Sequence, residues 1–129
     1  MLLQAYCLAK PGAWADHPWE PDHTVIKVGP GERGKIFAFL GNDGVGVKSG
    51  RSREEADEWL QRFPGDATVM AYIGRSGWNS LALQGAIPAE EIVEAVEESY
   101  RLVVVGLPKK HRPLGWETVG PPDPEEASP

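Results

Sequence analysis

The sequence predicts an α+β domain, an antiparallel sheet of about five strands in the order βββ-α-ββ, with a short helix before it and a long helix after it. Three observations carry that expectation. Runs of β-branched and aromatic residues punctuated by glycine turns fall into two groups, 24–48 and 68–83. Two segments, 53–63 and 88–106, hold apolar residues at helical spacing. Strands grouped in this way, rather than alternating one by one with helices, belong to antiparallel α+β architectures and not to doubly wound parallel sheets.

Taken in order, Leu2, Leu3, Ala5, Tyr6 and Leu8 form a short helix that stops at Pro11-Gly12. Residues 13–21, with Trp14, Pro18, Trp19 and Pro21, read as an irregular loop that packs its indole rings on the core. Residues 24–28, 35–40 and 45–48 make a three-stranded meander, and Gly41-Asn42-Asp43-Gly44 supplies the positive-φ residues that a tight hairpin needs. Ser52-Arg53-Glu54-Glu55 has the spacing of a capping box. Ala56, Trp59, Leu60 and Phe63 follow at i, i+3, i+4 and i+7 before Pro64-Gly65. Residues 68–73 and 78–83 form a second hairpin around Gly74-Arg75-Ser76-Gly77. From Pro88, Ile92, Val93, Val96, Tyr100, Val103 and Val104 keep helical spacing as far as Gly106. The domain is expected to span residues 1–113. The Pro/Glu-rich stretch 114–129 is expected to be a flexible tail, most clearly from Gly120 onward.

Composition narrows the function classes. A chain of 129 residues has room for one domain and a tail, and 41% hydrophobic with 25% charged residues is a globular balance. Cys7 is the only cysteine, which excludes an intrachain disulfide and a multi-cysteine zinc site and makes a reducing cytoplasm the economical compartment. Residues 1–9 lack a basic leader and a cleavage pattern, and no window has the ~18–20 apolar residues of a membrane span, so neither a secretory signal nor membrane insertion is expected. The net charge is −6, but all 13 bases and only 15 of the 19 acids precede residue 114, and five of those acids are Glu90, Glu91, Glu94, Glu97 and Glu98 on the last helix. That row reads as the solvated face of an amphipathic helix.

Three motifs are weighed for chemistry. Residues 29–35 match both G-x-G-x-x-G and G-x-x-x-x-G-K. However, Ile36 stands where a P-loop has Ser or Thr, and a strand follows where a phosphate loop needs a helix, so this is a hairpin loop. His17, His23 and His111 read as surface histidines, with no spacing that fixes a metal site, and Ser76, Ser80 and Cys7 lack a base nearby in sequence. Catalysis would need a pocket that gathers residues the sequence does not pair, such as His17, His23 and Asn79. No cofactor and no metal are read from the sequence. The basic residues Lys27, Arg33, Lys35, Lys48, Arg51 and Arg53 gather on or beside the first strands, Arg75 marks the second hairpin tip, and Lys109, Lys110 and Arg112 follow the last helix.

With the elements placed, Pro11-Gly12-Ala13, the valine-rich strand before Gly34-Lys35-Ile36-Phe37-Ala38, Val47-Lys48, Trp78-Asn79-Ser80, Ser99-Tyr100-Arg101-Leu102-Val103 and Leu107-Pro108-Lys109-Lys110 together resemble the MmcQ/YjbR family over about residues 3–112. The resemblance implies a small bacterial cytoplasmic protein with an α+β fold likened to frataxin/CyaY. It also implies DNA binding through hairpins shaped like a double wing. Lys35, Lys48, Lys109 and Lys110 match basic positions of that pattern, while Arg33, Arg51, Arg53 and Arg75 join them by position alone. The short first helix and the acidic proline-rich tail depart from it. The expectation is therefore a non-enzymatic protein that binds DNA nonspecifically through these eight residues. The alternatives are a protein-interaction adaptor using the acidic last helix or the exposed sheet face, and weak frataxin-like metal binding.

Overall fold

The computed structural model describes residues 3–19 and 23–118. The chain runs α1 (Leu3–Leu8), β1 (Ala13–Asp16), β2 (Thr24–Val28), β3 (Lys35–Leu40), β4 (Gly44–Lys48), α2 (Arg53–Arg62), β5 (Ala67–Val69), β6 (Trp78–Ala82) and α3 (Ala89–Val105). The strands form one six-stranded sheet in the order β1-β2-β3-β4-β6-β5, antiparallel at every pair. No described helix is long and apolar enough to cross a membrane.

Two expected element types are corrected: residues 70–73, read as the end of a strand, leave the ladder after Val69 for a turn in which Tyr72 has a positive φ. Residues 13–16, read as loop, form β1, with Ala13 opposite Val28 and Asp16 opposite Val25. An edge strand needs a ladder on only one side, so the flanking prolines that argued against a strand do not prevent this one. Cross-strand partners hold it: Lys27 makes a 2.8 Å ion pair with Asp16, its ammonium lies 5.2 Å from the centre of the Trp14 ring, and Trp14 Nε1 donates to the Gly29 carbonyl at 2.9 Å. Lys27 and the His17 amide also hold the Asp16 carboxyl below the usual carboxylate range.

The capping reading of α2 holds with a variation. Ser52 Oγ accepts from the Glu55 amide at 3.2 Å, while the Glu55 carboxylate takes the Arg51 amide, one residue upstream of the usual partner. On α3, burial of Ile92, Val96, Tyr100, Val103 and Val104 follows the predicted stripe.

All three helices cover one face of the sheet. Leu3 and Cys7 of α1, Val45, Val47 and Leu81 of the sheet, and Val96 and Tyr100 of α3 share one core, and α2 is tied to it where Asn79 Nδ2 donates to the Ala56 carbonyl at 2.9 Å. A β-bulge interrupts β3: Ile26 faces Ala38 but Lys27 faces Ile36, which leaves Phe37 as the extra residue. Its ring meets Tyr100 edge-on at 5.2 Å. The hydroxyl of Ser99 donates to the Phe37 carbonyl at 2.6 Å and accepts from the Lys48 amide at 2.9 Å, bridging the ladder where β3 leaves β4. Trp116, placed in the expected tail, packs against the core; residues 119–129 lie outside the described residues.

Candidate nucleic-acid interface

Strand direction decides where the charges go. Lys35 opens β3 opposite Val28 at the end of β2, Lys48 closes β4 opposite Trp78 at the start of β6, and Val69 of β5 lies opposite Asn79. All these residues therefore share one end of the sheet. Arg33 lies in the turn before β3, Arg51 in the connection after β4, Arg53 at the first residue of α2, and Arg75 in the turn before β6. Lys109 and Lys110 join them because Leu107 packs against Gly29, where an added Cβ would stand 3.2 Å from Leu107 Cδ1. The fold thus brings all eight predicted residues to one end.

They are not equivalent there. Arg53 is held inside the structure. Its guanidinium donates to Asp57 at 2.7 Å, to the carbonyls of Gly74 at 2.8 Å and Trp78 at 3.1 Å, and to Asn79 Oδ1. Lys48 donates to the Ser76 carbonyl at 2.9 Å. Both join the connection after β4 to the β5–β6 turn, as does the Ser49 amide donating to the Gly77 carbonyl at 2.7 Å. Arg33, Lys35, Arg51, Arg75, Lys109 and Lys110 are exposed, and no described carboxylate lies within ion-pair distance of them. These six can meet a phosphate without first breaking an internal bond.

The sheet face away from the helices is open. Phe39 stacks on Trp19 at 6.4 Å and meets Trp78 edge-on at 5.5 Å, next to a hollow of about 330 Å³ lined also by His23, Val25, Gly44, Gly46 and Met70. The hollow lies toward the other end of the strands. His23 lines it, whereas Asn79 is buried on the helix side, and His17 Nε2 lies 3.1 Å from Thr24 Oγ1. Asn79 therefore lies on the opposite face of the sheet from His23 and is not brought together with it. Among the described residues no group of three His, Cys, Asp or Glu side chains is placed to hold a metal ion.

The reading of the α3 glutamates as one solvated face is corrected at Glu97, which is only 2% exposed. Its carboxylate pairs with Lys10, itself 5% exposed, and accepts from the Tyr6 hydroxyl at 2.7 Å; Lys10 also donates to that hydroxyl at 2.9 Å. Burial, then the bond to Glu97, pushes the Tyr6 phenol upward, and burial pushes the Cys7 thiol up to about 12. Tyr6 and Lys10 lie on or beside α1 and Glu97 is mid-α3, so the trio pins the first helix to the last. The signal was available: Glu97 lies four residues after Val93 and three before Tyr100, on the apolar stripe itself.

Comparison with known proteins agrees with this architecture. A Deinococcus radiodurans protein with a DUF419 domain superposes with a TM-score of 0.74 at 24% identity, covering 85% of this chain and 82% of that one. A Pseudomonas syringae protein does so with a TM-score of 0.62 at 21% identity, covering 80% and 99%. These likenesses speak to the fold. In sequence, the chain is 30% identical to the Escherichia coli protein YjbR over 114 residues, covering 88% of this chain and 92% of that protein. The YjbR family model matches residues 8–102, from the end of α1 to the buried turns of α3 that carry Glu97, Ser99 and Tyr100. With most of the domain matched in sequence and its elements in the same arrangement, the chain belongs to the YjbR family.

Proposed function

We propose that this protein binds DNA without sequence preference through the basic end of its sheet. The observation that carries this reading is the grouping of six exposed, unpaired cationic side chains at one end of the strands. Lys and Arg supply nonspecific affinity by displacing counterions from phosphates, and phosphate contacts carry no sequence information directly. The net charge of −6 does not oppose it, because several acids lie away from these six residues, while Glu32, Glu54 and Glu55 share their end of the sheet. Asp43 precedes β4 at the far end. Asp66 lies there too, its carbonyl accepting from the Ala82 amide, and Glu90 and Glu91 open α3 soon afterwards.

The adaptor reading through the acidic helix has less support. Glu97 is buried, and Glu91 is in a 2.8 Å ion pair with Arg62, which leaves Glu90, Glu94 and Glu98 as its exposed acids. Charge reversal separates the two readings. In a mobility-shift series at low salt, the Arg33→Glu/Arg75→Glu variant is expected to bind duplex DNA at least about tenfold more weakly than the parent, while Glu94→Gln binds as the parent does. Arg33 and Arg75 are chosen because neither side chain supports the fold. Equal affinity of the double variant and the parent overturns the proposal.

A further inference from the structure

Resting on the DNA-binding reading, we propose that Tyr72, at the tip of the β5–β6 connection, stacks on an unpaired nucleobase while Arg75 holds a neighbouring phosphate, so that single strands are preferred to duplex. Tyr72 is 100% exposed and has φ of 66°, the only positive value on a non-glycine residue among those described. The Ile73 amide donates to the Ala71 carbonyl at 2.7 Å, closing a three-residue γ-turn around it, a conformation that is strained for a bulky L-residue.

The surroundings keep the ring from relaxing inward. On one side Met70 packs over Gly46, and on the other Ile73 packs against the core. The next turn is closed by Ser76 Oγ donating to the Ile73 carbonyl at 3.0 Å and by the Gly77 amide donating to the Gly74 carbonyl at 3.0 Å. A rigid knuckle therefore holds an aromatic ring wholly in water, three residues from an unpaired arginine and at the basic end of the sheet. Glycine would fit this backbone without strain and expose no apolar surface. The tyrosine thus disfavours the fold through its backbone, and its fully exposed ring offsets none of that cost by burial, so an external partner for the ring accounts for it.

The charge around the knuckle selects that partner. Arg75 and Arg51 favour an anionic chain, and an aromatic ring beside cations matches the alternation of base and phosphate in a single strand. In a duplex the base faces are already stacked on one another, so the ring gains little.

The test uses the full chain and three labelled probes of equal length: a deoxythymidine 12-mer, an abasic deoxyribose-phosphate 12-mer and a 12-base-pair duplex, followed by fluorescence anisotropy. The parent is expected to bind the thymidine strand about tenfold more tightly than the abasic strand. Tyr72→Trp keeps that ratio. Tyr72→Gly brings it to about one while raising the melting temperature by about 4 °C, because glycine relieves the strained turn. Weaker binding by a more stable variant cannot come from unfolding. Equal affinity of the parent for the thymidine and abasic strands, or an unchanged ratio in Tyr72→Gly, overturns the stacking proposal and leaves DNA binding standing. Binding to none of the three probes overturns both.

Discussion

Replacing Glu97 by leucine alone is expected to cost about 3–5 kcal/mol of folding free energy, whereas the Lys10→Met/Glu97→Leu double variant returns to within about 2 kcal/mol of the parent. Lys10 is 5% exposed and lies within the α1–α3 contact. Without the carboxylate, its ammonium is left buried with the Tyr6 hydroxyl, 2.9 Å away, and the Tyr6 ring, 4.1 Å from its nitrogen to the ring centre. Neither neutralises a buried charge, so the chain must open α1 to hydrate it or deprotonate it at a free-energy cost. Removing both charges removes that penalty and leaves two apolar side chains beside Leu3, Cys7 and Val96. The pair therefore fixes where α1 docks more than it adds net stability. Urea unfolding of both single variants and the double gives the coupling energy. Additive losses, with the double worse than either single, contradict this account.

Gly77→Ala is expected to destabilise the fold by more than about 3 kcal/mol, and Gly65→Ala by about 1 kcal/mol. Both glycines have positive φ, 98° at Gly77 and 85° at Gly65, so both substitutions carry the left-handed backbone penalty. They differ in what the new methyl group meets. At Gly65 nothing lies within 4 Å, but at Gly77 the Cβ would stand 2.3 Å from the Gly50 carbonyl oxygen and 3.2 Å from that of Ser52. Both neighbours are backbone and cannot rotate away. The methyl would force apart the two connections that the Gly77 carbonyl, Lys48 and Arg53 hold together, which are also the ones that carry Arg51 and Arg75. Equal losses for the two variants, read from thermal unfolding, contradict the close approach.

What the sequence disclosed follows from the range of each interaction. Elements set by local patterns were legible: the Ser52 cap and the apolar spacing of α2, the stripe on α3, and the hairpins bracketed by glycine. β1 was not, because its stability comes from the partners Lys27 and Gly29, more than ten residues away, while its own composition speaks for a loop. The grouping of basic residues was legible as proximity along the chain, but only strand direction shows that Lys109 and Lys110 reach the same end, through Leu107 on Gly29. Sequence position could not separate Arg53, which is bonded to the Gly74 turn and to β6, from Arg51, whose charge faces water; that division is made by tertiary hydrogen bonds. Tyr72 carried no signal at all, since a lone tyrosine between Ala71 and Ile73 looks like any strand residue until its φ is known.

The central claim, that the basic end of the sheet holds a phosphate backbone, is tested most directly by the salt dependence of affinity for duplex DNA in the unmodified chain. With four to six of the exposed cations engaged, log K is expected to fall linearly with log salt concentration with a slope of about −3.5 to −5.5. Binding that does not change between low and physiological salt, or no binding at the lowest salt, contradicts the account.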